Sequence, residues 1–68
     1  MIKSEIVKDM KSFMKGASFI TRLDLARYMG YGSPKSVDRY IRGLEKVGGA
    51  YFIPEVAENI QKYKKVKQ

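Results

Sequence analysis

Neither cysteine nor histidine occurs in the 68-residue chain, and at this size that absence constrains the fold more than any motif does. A chain this short buries only about 60% of the surface its unfolded form exposes, so its core is marginal. Small domains often compensate with disulfides or Cys/His-bound zinc, and this sequence excludes both. Packing and turn chemistry must hold the fold. The same absence removes catalytic histidine and cysteine chemistry. The seven Asp and Glu residues are scattered without metal-ligand spacing. Gly30-x-Gly32 is too short for a phosphate-cradling loop and follows a helical pattern, not a strand. No enzymatic activity, cofactor or metal is expected. No apolar run exceeds a few residues, which predicts neither a transmembrane span nor a signal peptide. The expectation is one soluble, cytoplasmic domain with no membrane partner.

Charge carries the first functional hint. Fourteen Lys and Arg face seven acids, for a net charge of +7. On so small a surface this points to an anionic partner, nucleic acid ahead of a membrane. The 44% apolar content, with five Tyr and three Phe, is that of a globular domain.

Periodicity divides the chain into elements. Ile2, Ile6, Met10, Phe13 and Met14, widened by Val7, recur at helical spacing over residues 2–15. Ser4 is the candidate N-cap and Gly16 the terminating glycine. Residues 17–20 suit a short strand or extended linker. Thr21, with Asp24 three residues on, opens a second helix over about 22–29 in the manner of a capping box. Leu23, Leu25, Ala26 and Met29 form its apolar face, and Gly30 ends it. After the turn Gly30-Tyr31-Gly32, Ser33 is an N-cap and Pro34 a first helical residue. The third helix is expected over 34–44. Val37, Tyr40, Ile41 and Leu44 face the core, while Lys35, Ser36, Asp38, Arg39 and Arg42 point elsewhere. Gly48-Gly49 suits a two-residue primed turn between strands at 46–47 and 50–53. Pro54 opens a last helix with Val56, Ala57, Ile60 and Tyr63 on its apolar face. The lysine-rich end, with Lys62, Lys64, Lys65 and Lys67, is expected to fray over 64–68.

The segment "LARYMGYGSPKSVDRYIRGL" resembles a helix-turn-helix. The likeness lies in small Ala26, in Gly30 four residues later at the turn, and in Leu25, Met29, Val37 and Ile41 as core positions. The spacing from Gly30 to Val37 is one residue longer than usual, which Gly32 accounts for. With the Gly-Gly hairpin behind it, the order resembles a winged helix-turn-helix over about residues 17–53. The fold class expected is mainly α with a small β-hairpin wing. More narrowly, the chain is similar to small excisionase and MerR-like proteins of phages and mobile elements.

That resemblance implies roles. The third helix would enter the major groove, with Lys35, Ser36, Arg39 and Arg42 on its exposed face. Arg39 or Lys35 would read guanine, and Ser36 would reach a base edge or a phosphate. Ser33 and the amides at the helix start suit a phosphate. Arg22 and Arg27, on the preceding helix, would bind phosphates. Lys46, Gly48, Gly49 and Tyr51 would form the wing on the backbone or minor groove, and the lysine tail would add non-specific contacts. As residue types, Tyr31, Tyr40 and Tyr51 suit packing better than base stacking, whereas Tyr28 falls off the apolar stripe. Glu45 could pair with Arg42 at the helix surface.

Three function classes remain. The first is a duplex-DNA binder acting as a regulator or as an accessory factor in recombination or replication of a mobile element. So small a reader usually needs a homodimer or an array on DNA. The second is a single-stranded-DNA-binding replication accessory using aromatic platforms. The third is an interaction module docking on a larger recombination or replication enzyme.

Overall fold

A computed structural model describes residues 3–66, with side chains placed as far as Tyr63. Ile2, residues 67–68 and the side chains of Lys64 and Lys65 lie outside the described residues; of the segment expected to fray, residues 64–66 continue the last helix. In chain order the elements are helix α1 (Lys3–Phe13), strand β1 (Phe19–Thr21), helix α2 (Arg22–Met29) and a 3-10 turn (Pro34–Val37). Helix α3 (Asp38–Ile41), strand β2 (Ala50–Phe52) and helix α4 (Ile53–Val66) follow. The protein is thus mainly helical with a small two-stranded antiparallel sheet.

Every element supplies part of the core. Ile6 and Met10 of α1, Ile20 of β1, Leu25 and Ala26 of α2, and Val56, Ala57 and Ile60 of α4 are all buried. Val37, Tyr40 and Ile41 join them from the third helical segment. Helix α1 packs mainly on α4, and α2 on the 3-10 turn. No buried side-chain polar atom lacks a partner among the described residues.

Local chemistry explains the boundaries. The Thr21 hydroxyl accepts a hydrogen bond from the Asp24 amide at 3.1 Å, capping α2 as the sequence predicts. Gly30 ends α2 in the left-handed region (φ 80), a conformation that is strained for residues with a side chain. The Ser33 hydroxyl accepts from the Lys35 amide at 3.3 Å, and Pro34 follows it at the first position. Helix α1 ends differently from its prediction. Gly16 donates to the Lys11 carbonyl and Lys15 to that of Ser12, a paired arrangement that puts Lys15, at φ 57, in the position glycine usually holds. Ser4 lies inside α1 rather than capping it.

The third helix is shorter than its apolar spacing predicts. It is one 3-10 turn followed by one α turn, and it stops at Ile41. Arg42 turns extended (ψ 129) and Gly43 adopts φ 85, so the backbone leaves the helix before Leu44. Leu44 still packs against the core from outside the helix.

The hairpin also differs. Val47 and Ala50 exchange two backbone hydrogen bonds, 2.8 and 3.0 Å, across Gly48-Gly49. Both glycines have positive φ (58 and 83), as a type I′ turn requires. The pairing ends after that one bridge. Residues 50–52 pair with β1 instead, in the register Phe19↔Phe52, Ile20↔Tyr51, Thr21↔Ala50. Ile53 extends the ladder by donating to the Ser18 carbonyl at 2.9 Å before α4 takes over. Period-2 alternation then sends Ile20 and Tyr51 inward and leaves Phe19 and Phe52 outside, their rings 5.3 Å apart.

Candidate nucleic-acid interface

The basic residues singled out from the sequence fall into three groups. Arg22 and Arg27, on α2, are occupied. The Arg22 guanidinium grips Asp38 with both ends, Nε to Oδ1 at 2.8 Å and Nη2 to Oδ2 at 3.1 Å. This fork ties the start of α2 to the start of α3. The hydrogen bonds from Arg22 hold the Asp38 carboxyl below its ordinary range, and the charges of Arg42 and Lys35 add to that depression. Arg27 reaches Asp24, three residues back, at 3.7 Å.

Lys35 and Ser36 form the second group. Both are exposed on the 3-10 turn, and Lys35 has no acidic partner within ion-pair distance among the described residues. Val37, fully buried beside them, fixes the turn to the core. The amides at the start of this segment are not an open phosphate cradle, because Ser33 accepts from both: its hydroxyl from Lys35 and its carbonyl from Ser36 at 3.1 Å. Ser33 itself is exposed.

The third group emerges only from the tertiary fold. Arg39 and Arg42 turn toward α4, where they line an open cleft of about 290 Å³ with Asn59, Lys62 and Tyr63. No carboxylate lines it, and none of its three cations has an ion-pair partner among the described residues. The Arg42–Glu45 pair expected from spacing does not form, since the helix has ended before Glu45. Arg39 sits over the Tyr63 ring, its guanidinium carbon 5.7 Å from the centroid, in a cation–π arrangement. Tyr63 meets Tyr40 edge-on at 5.3 Å. Tyr40 is buried, and its hydroxyl lies 3.3 Å from that of Tyr31. Burial, followed by that contact, pushes the Tyr40 phenol up to about 12. The Asn59 amide nitrogen donates to the Tyr40 carbonyl at 2.8 Å, which satisfies an orphan carbonyl at the end of α3. That bond uses the Asn59 nitrogen, so the acceptor this cleft-lining residue still offers is its side-chain oxygen.

The remaining wing candidates divide. Lys46 and Gly49 are exposed on the loop and turn. Tyr51 is not a surface residue: its ring, paired across from Ile20, is buried in the core, so a wing role for its side chain is ruled out by the inward register. Tyr31, expected to pack, is 39% exposed. Leu23 and Phe13, also expected inside, are exposed, and Phe13 instead lies edge-on against Tyr28. The Tyr28 hydroxyl donates to Asp9 at 2.7 Å.

Sequence reading missed the cleft because its residues come from two separate stretches, α3 with the residue that follows it and α4. The one local signal was the spacing of Asn59 and Tyr63, which places both on one face of α4 beside Lys62.

No family model, curated protein or solved structure matches the chain significantly. Among the described residues, no helix is long and apolar enough to cross a membrane.

Proposed function

We propose that this chain is a small winged helix-turn-helix DNA-binding protein that lays its third helical segment, residues 34–41, in the major groove of duplex DNA. The observation that carries this reading is the division of that segment. Val37, Tyr40 and Ile41 are buried, while Lys35, Ser36, Arg39 and Arg42 are all exposed around them. Such a segment presents a basic face held rigidly to the core.

The surroundings fit. The fork between Arg22 and Asp38 fixes the two helices of the motif to each other. The Gly48-Gly49 turn projects Lys46 and Gly49 as a short wing tip. In this reading Lys35 and Ser36 face base edges, and Arg42 and Lys46 contact phosphates. The biological setting we favour is a regulator or an accessory factor for recombination or replication of a mobile element.

The test is a binding titration with matched duplex and single-stranded DNA across a salt series. The reading expects duplex preference and a log–log salt slope corresponding to several phosphates. Lys35→Ala and Ser36→Ala should weaken discrimination between a selected site and random duplex. Equal or tighter binding to the single strand, with discrimination unchanged in both variants, overturns it.

A further inference from the structure

The cleft between α3 and α4 has a composition that a groove-reading helix does not need. A phosphate-contacting surface requires cations, but it does not require an aromatic floor. Here three cations line the cleft together with Tyr63 and Asn59, and Arg39 lies over the Tyr63 ring. Cations that track a backbone beside an aromatic ring are the combination by which proteins hold unpaired nucleotides.

We propose that this cleft is a subsite for one unpaired nucleotide at the end of, or at a break in, the bound duplex. Arg39, Arg42 and Lys62 hold the backbone phosphate, and the base lies against the Tyr63 ring and the Arg39 guanidinium. The inference rests on nucleic acid being the ligand, as argued above, and reassigns Arg39 from groove reading to the cleft.

Several observations support it. The volume of about 290 Å³ lies at the bottom of the range of small-molecule sites, roughly 300–1,000 Å³, which suits one nucleotide rather than an extended cofactor. The platform is pre-formed: Tyr40, buried and bonded through its carbonyl to Asn59, supports Tyr63 edge-on. Arg39 already lies over the ring in a cation–π arrangement, so a base that inserts beside them finds an aromatic ring and a planar cation within reach. The Asn59 carbonyl can accept from an exocyclic amine of the base. The nearest acid on this segment, Asp38, has both carboxylate oxygens committed to Arg22. A duplex cannot supply this ligand without unpairing, because its bases are stacked within the helix.

The test uses the full chain and three fluorescent probes: a blunt duplex, the same duplex with a short single-stranded overhang, and that duplex with an abasic overhang. The expected result is binding to the normal overhang roughly tenfold tighter than to the blunt duplex, in line with one stacked base. The abasic overhang should recover little of that gain. Tyr63→Ala should abolish the difference between normal and blunt probes, Tyr63→Phe should keep it, and neither should change blunt-duplex affinity. Equal affinity for blunt and normal-overhang probes overturns the subsite, as does an abasic gain equal to the normal one. Those comparisons need only the unaltered protein, so they hold even if Tyr63→Ala unfolds. The two readings fail separately: a blunt duplex bound with sequence discrimination but no overhang gain removes the subsite alone, whereas an overhang gain without duplex discrimination removes the groove reading alone.

Discussion

Arg22 and Arg27 on one helix, and Arg39 and Arg42 on or just beyond the next, are equivalent in the sequence and different in the fold. The first pair is neutralised locally: Arg22 by a two-bond fork to Asp38, Arg27 by Asp24. The second pair lines a cleft that no acid enters. Formal charge therefore overstates what the α2 side can offer an anion and understates the concentration of free charge beside α4. An arginine already paired must break that pair, or share its remaining donors, before it contacts a phosphate. One left unpaired over an aromatic ring has no such cost.

The largest expected effect tests that contrast directly. Arg39→Ala with Arg42→Ala should reduce the salt slope of binding to an overhang duplex by roughly 1.5, because each lost phosphate contact removes about 0.7–0.9. Thermal stability should change little, since both side chains are exposed and make no ion pair among the described residues. Arg22→Ala with Arg27→Ala should do the reverse, lowering the melting temperature while changing the slope by less than one. Anisotropy titrations across salt and thermal melts of both double variants decide the matter. A larger slope change in the Arg22/Arg27 variant would break the comparison.

Asp38 sharpens it next. Asp38→Asn removes the acid that occupies Arg22 and releases a guanidinium beside Lys35 and Arg42. Duplex binding should tighten severalfold, with a salt slope steeper by about one. If binding weakens instead, the fork acts to aim Arg22 at the DNA, and a paired arginine is then the better reader.

Acid titration reaches the same contact without a substitution. Arg22 holds the Asp38 carboxyl below its ordinary value of 3.8. A depressed carboxyl contributes stability that is fully present above that ordinary value and is lost as pH falls through the lower, folded one. Melting temperature measured across this acid window should therefore fall less steeply in Asp38→Asn than in the unaltered protein. Parallel curves would show that the fork contributes nothing to stability.

The contrast between the arginine pairs could not have been read from the chain, although much of its frame could. Thr21 with Asp24, Gly30, and Ser33 with Pro34 each act through neighbours one to five residues away, so their residue types suffice to place α2 and the turn that follows. Pairings that close long loops leave no such local mark. Ala50–Phe52 reads as half of a hairpin, yet its main partner is Phe19–Thr21, about thirty residues earlier; the alternation of Tyr51 and Phe52 is compatible with either partner. The third helix was over-read because Val37, Tyr40, Ile41 and Leu44 keep helical spacing past the point where Gly43 turns the backbone. Spacing reports which residues face the core and not which backbone carries them there. The cleft depends on how α3 crosses α4, and Tyr63 alone reads as one more apolar residue on a stripe.

The smallest expected effects concern the turn that holds the two arginine pairs apart. Gly30 and Gly32 look interchangeable in the sequence. Gly30 adopts φ 80, whereas Gly32 does not occupy the left-handed region, and beyond its chain neighbours neither has an atom within 4 Å of where a Cβ would stand. The cost of Gly30→Ala is therefore purely conformational, about 1–2 kcal/mol for forcing an L-residue into that region. Gly32→Ala meets no clash and no forbidden angle. It should stabilise the fold slightly, by about 0.4–1 kcal/mol, through the restricted unfolded chain. Lys15→Gly should act in the same direction as Gly32→Ala but for the opposite reason, relieving the left-handed angle (φ 57) at the end of α1. Denaturant unfolding of the three variants gives the order Gly30→Ala, unaltered protein, then the two stabilised chains. If Gly32→Ala proves as costly as Gly30→Ala, the turn is constrained along its whole length, and the separation of the two arginine pairs would then depend on both glycines rather than on one.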